Sequence, residues 1–199
     1  MKKIIFLLLV MIVVVIFTAC TFAAETKVNV KADELKRMSV FLSNFTELGF
    51  YDFETETVGR EELIRFGIWH NYINNFKSRI VQCKVKDCEY GSLTIDSKYV
   101  EESLKKYFAL DFKDHGNIPE PRSHYDGKLY HFEGSDGEAT YYAQVKEVFK
   151  DDEGILKMTG KLYNANDEED ILETFEALAK PYKYGGKDTW SFVGIKIVN

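Results

Sequence analysis

Residues 155–163 read ILKMTGKLY and residues 190–198 read WSFVGIKIV, and these two stretches decide the fold class. In both of them apolar side chains take every second position: Leu156, Met158 and Leu162 in the first, and Val193, Ile195 and Ile197 in the second. A period of two puts the apolar side chains on one face of a β-strand. Gly160 and Gly194 lie inside the pattern, where glycine is typical of a bulge or a bend, so the two stretches predict strands of a curved sheet.

The same period extends over the second half of the chain. Besides the two quoted stretches, we predict strands over residues 129–133, 139–149 and 172–182. The separating segments are rich in Gly, Asp and Asn, which are typical of hairpin turns, and they cover residues 134–137, 151–154, 164–170 and 185–188. Short turns between successive strands favour an antiparallel meander.

The first half of the body is predicted to be largely helical. Over residues 33–48, apolar side chains recur at three- and four-residue steps and form one stripe: Leu35, Met38, Phe41, Leu42, Phe45 and Leu48. Gly49 follows where a helix end favours a left-handed residue. Two further helices are predicted over 60–76 and 98–110, with an irregular hairpin over 78–95 and a loop over 111–126.

Helices followed by an antiparallel meander predict an α+β fold, in which N-terminal helices pack on a curved sheet. This order of elements resembles the NTF2-like and cystatin-like domains over about residues 33–199. The phrases SVFLSNFT at 39–46 and LIRF at 63–66 also resemble uncharacterised lipoproteins of Gram-positive bacteria. The second resemblance implies a location and no activity.

The N-terminus has the pattern of an export signal. Two lysines precede fourteen uninterrupted apolar residues at 4–17. The segment then ends in a sequence that resembles a bacterial lipobox, so we expect residues 1–20 to be a signal peptide and Cys20 to carry lipid. Two alternatives stay open: cleavage after Ala23, which would secrete the body, and retention of residues 4–24 as a membrane span. All three place the body outside the cytoplasmic membrane, because the lysines hold the N-terminus inside.

We expect residues 21–31 to be a polar tether and residues 32–199 to be one α+β domain.

The net charge of the chain restricts the partners that it can bind. The formal net charge is −6, and it becomes −8 once the two leader lysines are removed. Nucleic acid is therefore not an expected partner, because phosphates require a basic surface. The expected partners are membrane lipid, through the anchor, and an unidentified small molecule or protein.

Cys83 and Cys88 stay in the chain whichever fate the leader has. An oxidising exterior favours their pairing, so we expect a disulfide, with free thiols as the alternative. Four residues separate the two cysteines, which is the long end of the spacing in zinc sites. Since no pair such as His-x-x-x-His supplies two further ligands, the sequence predicts no metal site and no cofactor.

Two histidines are candidate catalytic bases. His70 follows Trp69 on an inward face of the second predicted helix, where both would line a pocket. His131 shares a face of its strand with Glu133, and the two could form a general acid–base pair. The alternative for His70 is a core histidine bonded to a backbone carbonyl, and for His131 it is a solvent-facing strand residue.

The chain is rich in aromatic residues, with 15 Phe, 12 Tyr and 2 Trp, and it carries no serine elbow, His-Glu-x-x-His motif or dinucleotide fingerprint. His115 and His124 fall in the predicted loop and are expected to be solvated. The predicted function is therefore a membrane-anchored extracytoplasmic binding or interaction lipoprotein without catalysis. The alternative, implied by the NTF2-like resemblance, is a small hydrolase, lyase or isomerase that uses a pocket histidine with an acidic partner.

Overall fold

The computed structural model describes residues 25–134 and 140–198, in which helices pack on two antiparallel sheets. The helices are α1 (Ala32–Thr46), α2 (Arg60–Asn75) and α3 (Ser97–Phe108). The strands are β1 (Thr26–Val28), β2 (Phe53–Glu54), β3 (Ile80–Gln82), β4 (Leu93–Asp96), β5 (Ser123–Tyr125), β6 (Leu129–Phe132), β7 (Tyr141–Lys150), β8 (Leu156–Asn164), β9 (Asp167–Tyr184) and β10 (Lys187–Val198). The predicted α+β class is confirmed, and kinship with NTF2-like or cystatin-like domains stays a prediction.

The predictions for the leader concern residues outside the described ranges. These are the signal peptide, the lipid-bearing Cys20, cleavage after Ala23 and the span over residues 4–24. Within the part of the chain that the structure does describe, no helix has the length and apolarity that a membrane span needs.

The large sheet contains the predicted meander. Its strand order is β1-β7-β8-β9-β10-β2, with antiparallel pairing throughout. The register shifts opposite Gly160 and again between Phe192 and Gly194, so both predicted irregularities are present. A Cβ on Gly160 would lie 2.0 Å from the carbonyl oxygen of Gln144, which is why glycine is needed there. The second bulge breaks the predicted alternation, because Phe192 and Ile195 are both buried.

The strand predicted over residues 129–133 does not join the meander. It forms β6 of a separate sheet with the order β3-β4-β6-β5, in which β6 pairs with β4 and β5. Strand β5 lies inside the predicted loop over 111–126. Only three residues long, it is too short to show a period of two.

Helix α1 packs along β7, and its predicted stripe faces the core. The ring of Phe45 stacks on Phe192 of β10 at 3.9 Å between centroids. On another side of the helix, the hydroxyls of Ser39 and Ser43 accept hydrogen bonds from backbone N–H groups of β7 at 2.9 and 3.1 Å. Helix α1 therefore both fills the core and satisfies backbone groups of β7.

Part of the predicted tether is a strand. Residues 26–28 form β1, which pairs with residues 148–150 of β7 at the edge of the large sheet. A strand of three residues at a sheet edge has no pattern that distinguishes it from a polar linker. The chain is therefore tied to the sheet several residues before α1 begins.

Candidate functional site

The small sheet has one face on the core and one face away from it. Tyr130 and Phe132 of β6 are fully buried, and Phe132 contacts the indole of Trp69 with 5.4 Å between ring centroids. His131 lies between them in sequence and therefore points to the opposite face. Across that face, paired positions of the four strands carry Val81, Thr94, His131 and His124.

The segment from Cys83 to Ser92 connects β3 to β4 and is fastened to β6. The backbone N–H of Cys83 donates to the carbonyl of Ser92 at 2.8 Å, which extends the β3–β4 ladder. Gly91 has φ 131°, and a Cβ there would lie 2.1 Å from the backbone of Phe132. Ser92 donates to Glu133 through its N–H at 2.8 Å and its hydroxyl at 3.0 Å. These contacts hold the connection against β6.

This connection brings both cysteines to His131. The Sγ of Cys83 lies 3.3 Å from Nδ1 of His131, and the Sγ of Cys88 lies 3.6 Å from the same nitrogen. The three atoms all lie within 4.8 Å of one another. Both cysteines are free, so the expected disulfide is not formed in this structure. The loop between them places both sulfurs beside the imidazole of His131 instead of bonding them to each other.

A carboxylate holds the other side of the imidazole. Oδ2 of Asp126 lies 3.0 Å from Nε2 of His131. The Oδ1 atom of Asp126 accepts from the N–H groups of Leu129 at 2.7 Å and Lys128 at 2.9 Å. The N–H of Leu129 and then the bond to His131 lower the pKa of Asp126 to about 2, so the carboxylate is ionised at neutral pH.

The neighbouring groups also shift the thiol and imidazole pKa values. The N–H of Tyr90 donates to Cys88 and lowers its pKa, whereas desolvation raises the pKa of Cys83 although the N–H of Val85 donates to it. Burial opposes the charged form of His131, but the hydrogen bonds to Asp126 and Cys88 outweigh it and raise the pKa.

The acidic partner of His131 differs from the one that the sequence suggests. Glu133 lies just after the end of β6 and accepts from Ser92, whereas Asp126 bonds the imidazole. Asp126 reaches His131 because the Gly127 turn between β5 and β6 folds it back over the strand. The pair of Asp126 and His131 lies beside the cysteines because β6 is a neighbour of β4 in the sheet. The spacing of residues in the sequence does not reveal this strand order.

The two histidines that were expected to be solvated are packed against other rings. His124 is partly buried, and its ring stacks on Tyr90 with 4.0 Å between centroids. The side chain of His115 is 9% exposed. Its Nδ1 lies 2.9 Å from the hydroxyl of Tyr130, and its Nε2 lies 2.9 Å from a carboxylate oxygen of Glu101. The expectation for His115 was wrong, because the chain before β5 packs on the small sheet, whereas His124 in β5 keeps part of its surface exposed.

His70 is a core residue. It is 4% exposed, and its ring lies parallel to that of Phe66 with 5.4 Å between centroids. Its Nδ1 meets the side-chain amide of Asn74 at 3.2 Å. Burial, with the charges of Lys106 and Arg79, lowers its pKa to about 3. At neutral pH the imidazole is therefore uncharged, and its ring nitrogen meets an amide, not the backbone carbonyl of the core interpretation or the carboxylate of the catalytic one.

Trp69, the other predicted pocket residue, lines an open cleft of about 1240 Å³. Five aromatic side chains form much of its wall: Tyr51, Trp69, Tyr72, Tyr90 and Tyr141. The indole Nε1 of Trp69 is buried without a hydrogen-bond partner among residues 25–134 and 140–198. Glu47 also lines the cleft, and burial raises its pKa although Asn74 donates to it. Sequence periodicity gave no signal for Glu47.

The chemistry of the two regions is different. The cleft offers aromatic surface with a few polar groups, which suits an organic ligand. The cluster of Cys83, Cys88 and His131 offers two sulfurs and one imidazole nitrogen, which are the donor types of a metal ligand set or of an activated thiol. Comparisons with protein-family models, curated proteins and solved structures found no match, so the function is argued from this geometry.

Proposed function

We propose that this chain is a membrane-anchored extracytoplasmic binding protein without catalysis, and that it binds its ligand in the aromatic cleft beside Trp69. The observation that carries this proposal is the cleft itself, about 1240 Å³ in volume and walled by five aromatic residues. Its volume exceeds the roughly 300–1,000 Å³ of most small-molecule sites, so it would accept a sizeable ligand or a short segment of a protein.

Polar groups at the cleft restrict the chemistry of that ligand. The unpartnered indole N–H of Trp69 favours a hydrogen-bond acceptor, since a buried donor without a partner costs about 1–3 kcal/mol. Arg122 lines the cleft with its guanidinium 4.8 Å from the centre of the Tyr90 ring and 3.9 Å from the carboxylate of Glu89, so its charge is already paired. We therefore propose a partly apolar molecule that carries a hydrogen-bond acceptor.

The location rests on the leader. The signal pattern and Cys20 support a lipid anchor, and the acidic body supports partners other than nucleic acid. Labelling of cells with a palmitate analogue should mark the wild type and the Cys83→Ala variant but not Cys20→Ala. Equal labelling of Cys20→Ala and the wild type would contradict the anchor.

The cleft is tested separately by ligand screening on the full chain in detergent. Ligands that bind the folded state should raise its melting temperature. Ile73 lines the cleft and is 47% exposed, whereas Ile171 of β9 is 42% exposed and lies outside the cleft wall. Ile73→Trp should remove the thermal shifts of the hits, and Ile171→Trp should keep them. Hits that survive Ile73→Trp would show that binding occurs elsewhere.

The alternative function, an enzyme with a histidine and an acidic partner, is favoured by one observation. His131 pairs with Asp126 at 3.0 Å and lies beside two cysteines. A thiol activated by such a pair would be the nucleophile of an acyl-transfer reaction. Rapid alkylation of one cysteine in the metal-free protein, slowed by His131→Gln, would support this alternative over pure binding.

A further inference from the structure

We propose that Cys83, Cys88 and His131 bind a zinc-class metal ion, with Asp126 holding the histidine from behind. The inference goes beyond the binding function proposed above, because it depends neither on the lipid anchor nor on a ligand in the cleft. It replaces the sequence-based expectation that the chain holds no metal.

The two sulfur–nitrogen distances match those between neighbouring ligands of a tetrahedral ion, and all three donor atoms lie within 4.8 Å of one another. With Zn–S near 2.3 Å and Zn–N near 2.0–2.1 Å, neighbouring ligands of a tetrahedral zinc ion lie about 3.6 Å apart for S···N and about 3.8 Å apart for S···S. The observed S···N distances are 3.3 Å for Cys83 and 3.6 Å for Cys88. Seating an ion would therefore move each sulfur by only a few tenths of an ångström relative to the nitrogen.

Hydrogen bonds also link the three groups, because Cys83 bonds Cys88 and Cys88 bonds His131. The Nδ1 atom of His131 has one lone pair and can accept one thiol proton, yet two sulfurs approach it. A thiol is also a weak donor, so the second approach would gain little. An ion between the three atoms would satisfy both sulfurs and the nitrogen together.

A backbone N–H group points to the sulfur of each cysteine, an arrangement that suits a thiolate ligand. The N–H of Val85 donates to Cys83, and the N–H of Tyr90 donates to Cys88. Each donor lies two residues after its cysteine, so the same local turn is used twice in a loop of ten residues. Such N–H groups stabilise negative charge on sulfur without competing for the position of the ion.

Asp126 prepares the imidazole for coordination. In the neutral imidazole, which is the form that binds metal, a proton on Nε2 donates to this carboxylate and leaves the Nδ1 lone pair directed at the sulfurs. Asp126 is itself fixed by the N–H groups of Lys128 and Leu129. A carboxylate that orients a ligand histidine in this way is a regular outer partner in zinc sites.

Within the described residues three side chains converge, which leaves a fourth coordination position for water or a small molecule. Zinc sites with three protein ligands and one open position exchange their fourth ligand, unlike closed structural sites. Cys88 also belongs to the wall of the cleft, so a bound ion would lie at the edge of that cleft.

Cobalt titration of the reduced full chain in detergent tests the proposal. Co²⁺ should bind at one equivalent and give thiolate-to-cobalt charge-transfer and tetrahedral d–d bands, and Zn²⁺ should displace it. Asp126→Asn should keep the charge-transfer band but weaken zinc binding by about 10–100-fold. Cys88→Ser and His131→Gln should weaken it by more than the roughly 100-fold expected for an outer partner. Lys86→Ala, in the loop between the cysteines, is the matched control and should leave the Kd unchanged.

Several outcomes would overturn the proposal. One is the absence of charge-transfer bands from the wild-type protein, and another is a zinc affinity that Cys88→Ser does not change. Fast alkylation of Cys88 that saturating Zn²⁺ does not slow would assign the thiol to nucleophilic chemistry instead. Circular dichroism of every variant verifies folding, and Cys88→Ser is informative even where the more buried His131→Gln fails to fold, because Cys88 is partly exposed.

Discussion

Replacement of His70 by phenylalanine should remove a large part of the acid sensitivity of this protein. His70 is 4% exposed, stacks on Phe66 and has a pKa lowered to about 3 by burial and by the charges of Lys106 and Arg79. In the unfolded chain its pKa returns to about 6.5. Below that pH the unfolded state binds a proton that the folded state excludes, so stability falls as the pH falls.

The magnitude follows from the two pKa values. With about 3 in the folded state and about 6.5 in the unfolded state, the free energy of unfolding decreases by about 2 kcal/mol between pH 7.5 and pH 5 through His70 alone. A folded-state pKa of about 4 would give nearly the same loss at pH 5, because the folded imidazole would still be almost entirely neutral there. With either folded-state pKa, the free energy of unfolding is almost unaffected at neutral pH.

Urea unfolding at about pH 7.5 and pH 5 measures this effect. The wild type and Ile68→Val, a buried methyl deletion on the same helix, should lose the same free energy on acidification, whereas His70→Phe should lose about 2 kcal/mol less. Loss of the contact with Asn74 shifts the stability of His70→Phe equally at both pH values and cancels in the comparison. An unchanged acid loss in His70→Phe would refute the buried, neutral state of this histidine and would reopen a catalytic role for it.

Three further substitutions test the frame of the fold by urea unfolding. Phe45→Ala should cost about 3–5 kcal/mol, because a fully buried ring stacked on Phe192 is lost; a cost near 1 kcal/mol would contradict its central position. Gly160→Ala should cost about 2–4 kcal/mol, since its Cβ would meet the backbone of Gln144, and a neutral effect would disprove the bulge. Ser43→Ala should cost about 1–3 kcal/mol by leaving an N–H of β7 unpaired, whereas full stability would show that water replaces the hydroxyl.

The periodic elements could be predicted and the short ones could not. All three helices begin and end within two residues of the ranges expected from the apolar stripes. The glycines inside the strands marked real irregularities, yet the bulge before Gly194 also reversed the face of Phe192. A one-residue insertion changes which face is buried, so alternation alone fails beyond a bulge.

The candidate sites show a different limit. Trp69 lines the open cleft, but its neighbour His70 lies on the core side, because helix α2 is covered on more than one face. Cys83 and Cys88 lie close to His131 because β6 pairs with β4. About forty residues of chain separate these two paired strands. Residue spacing reports partners within one element and says little about which strands become neighbours.

The pairing of β1 with β7 has a mechanical consequence for an anchored protein. With Cys20 as the proposed anchor, residues 21–25 alone would separate the lipid from a strand fixed in the sheet, a reach of at most about 17 Å. Eleven unpaired residues would have allowed about 36 Å. The body would therefore stay close to the lipid anchor, and edge strand β1 of the large sheet would lie near the bilayer. The orientation of the anchored domain would then limit recognition, because a partner could approach only the surfaces that face away from the bilayer.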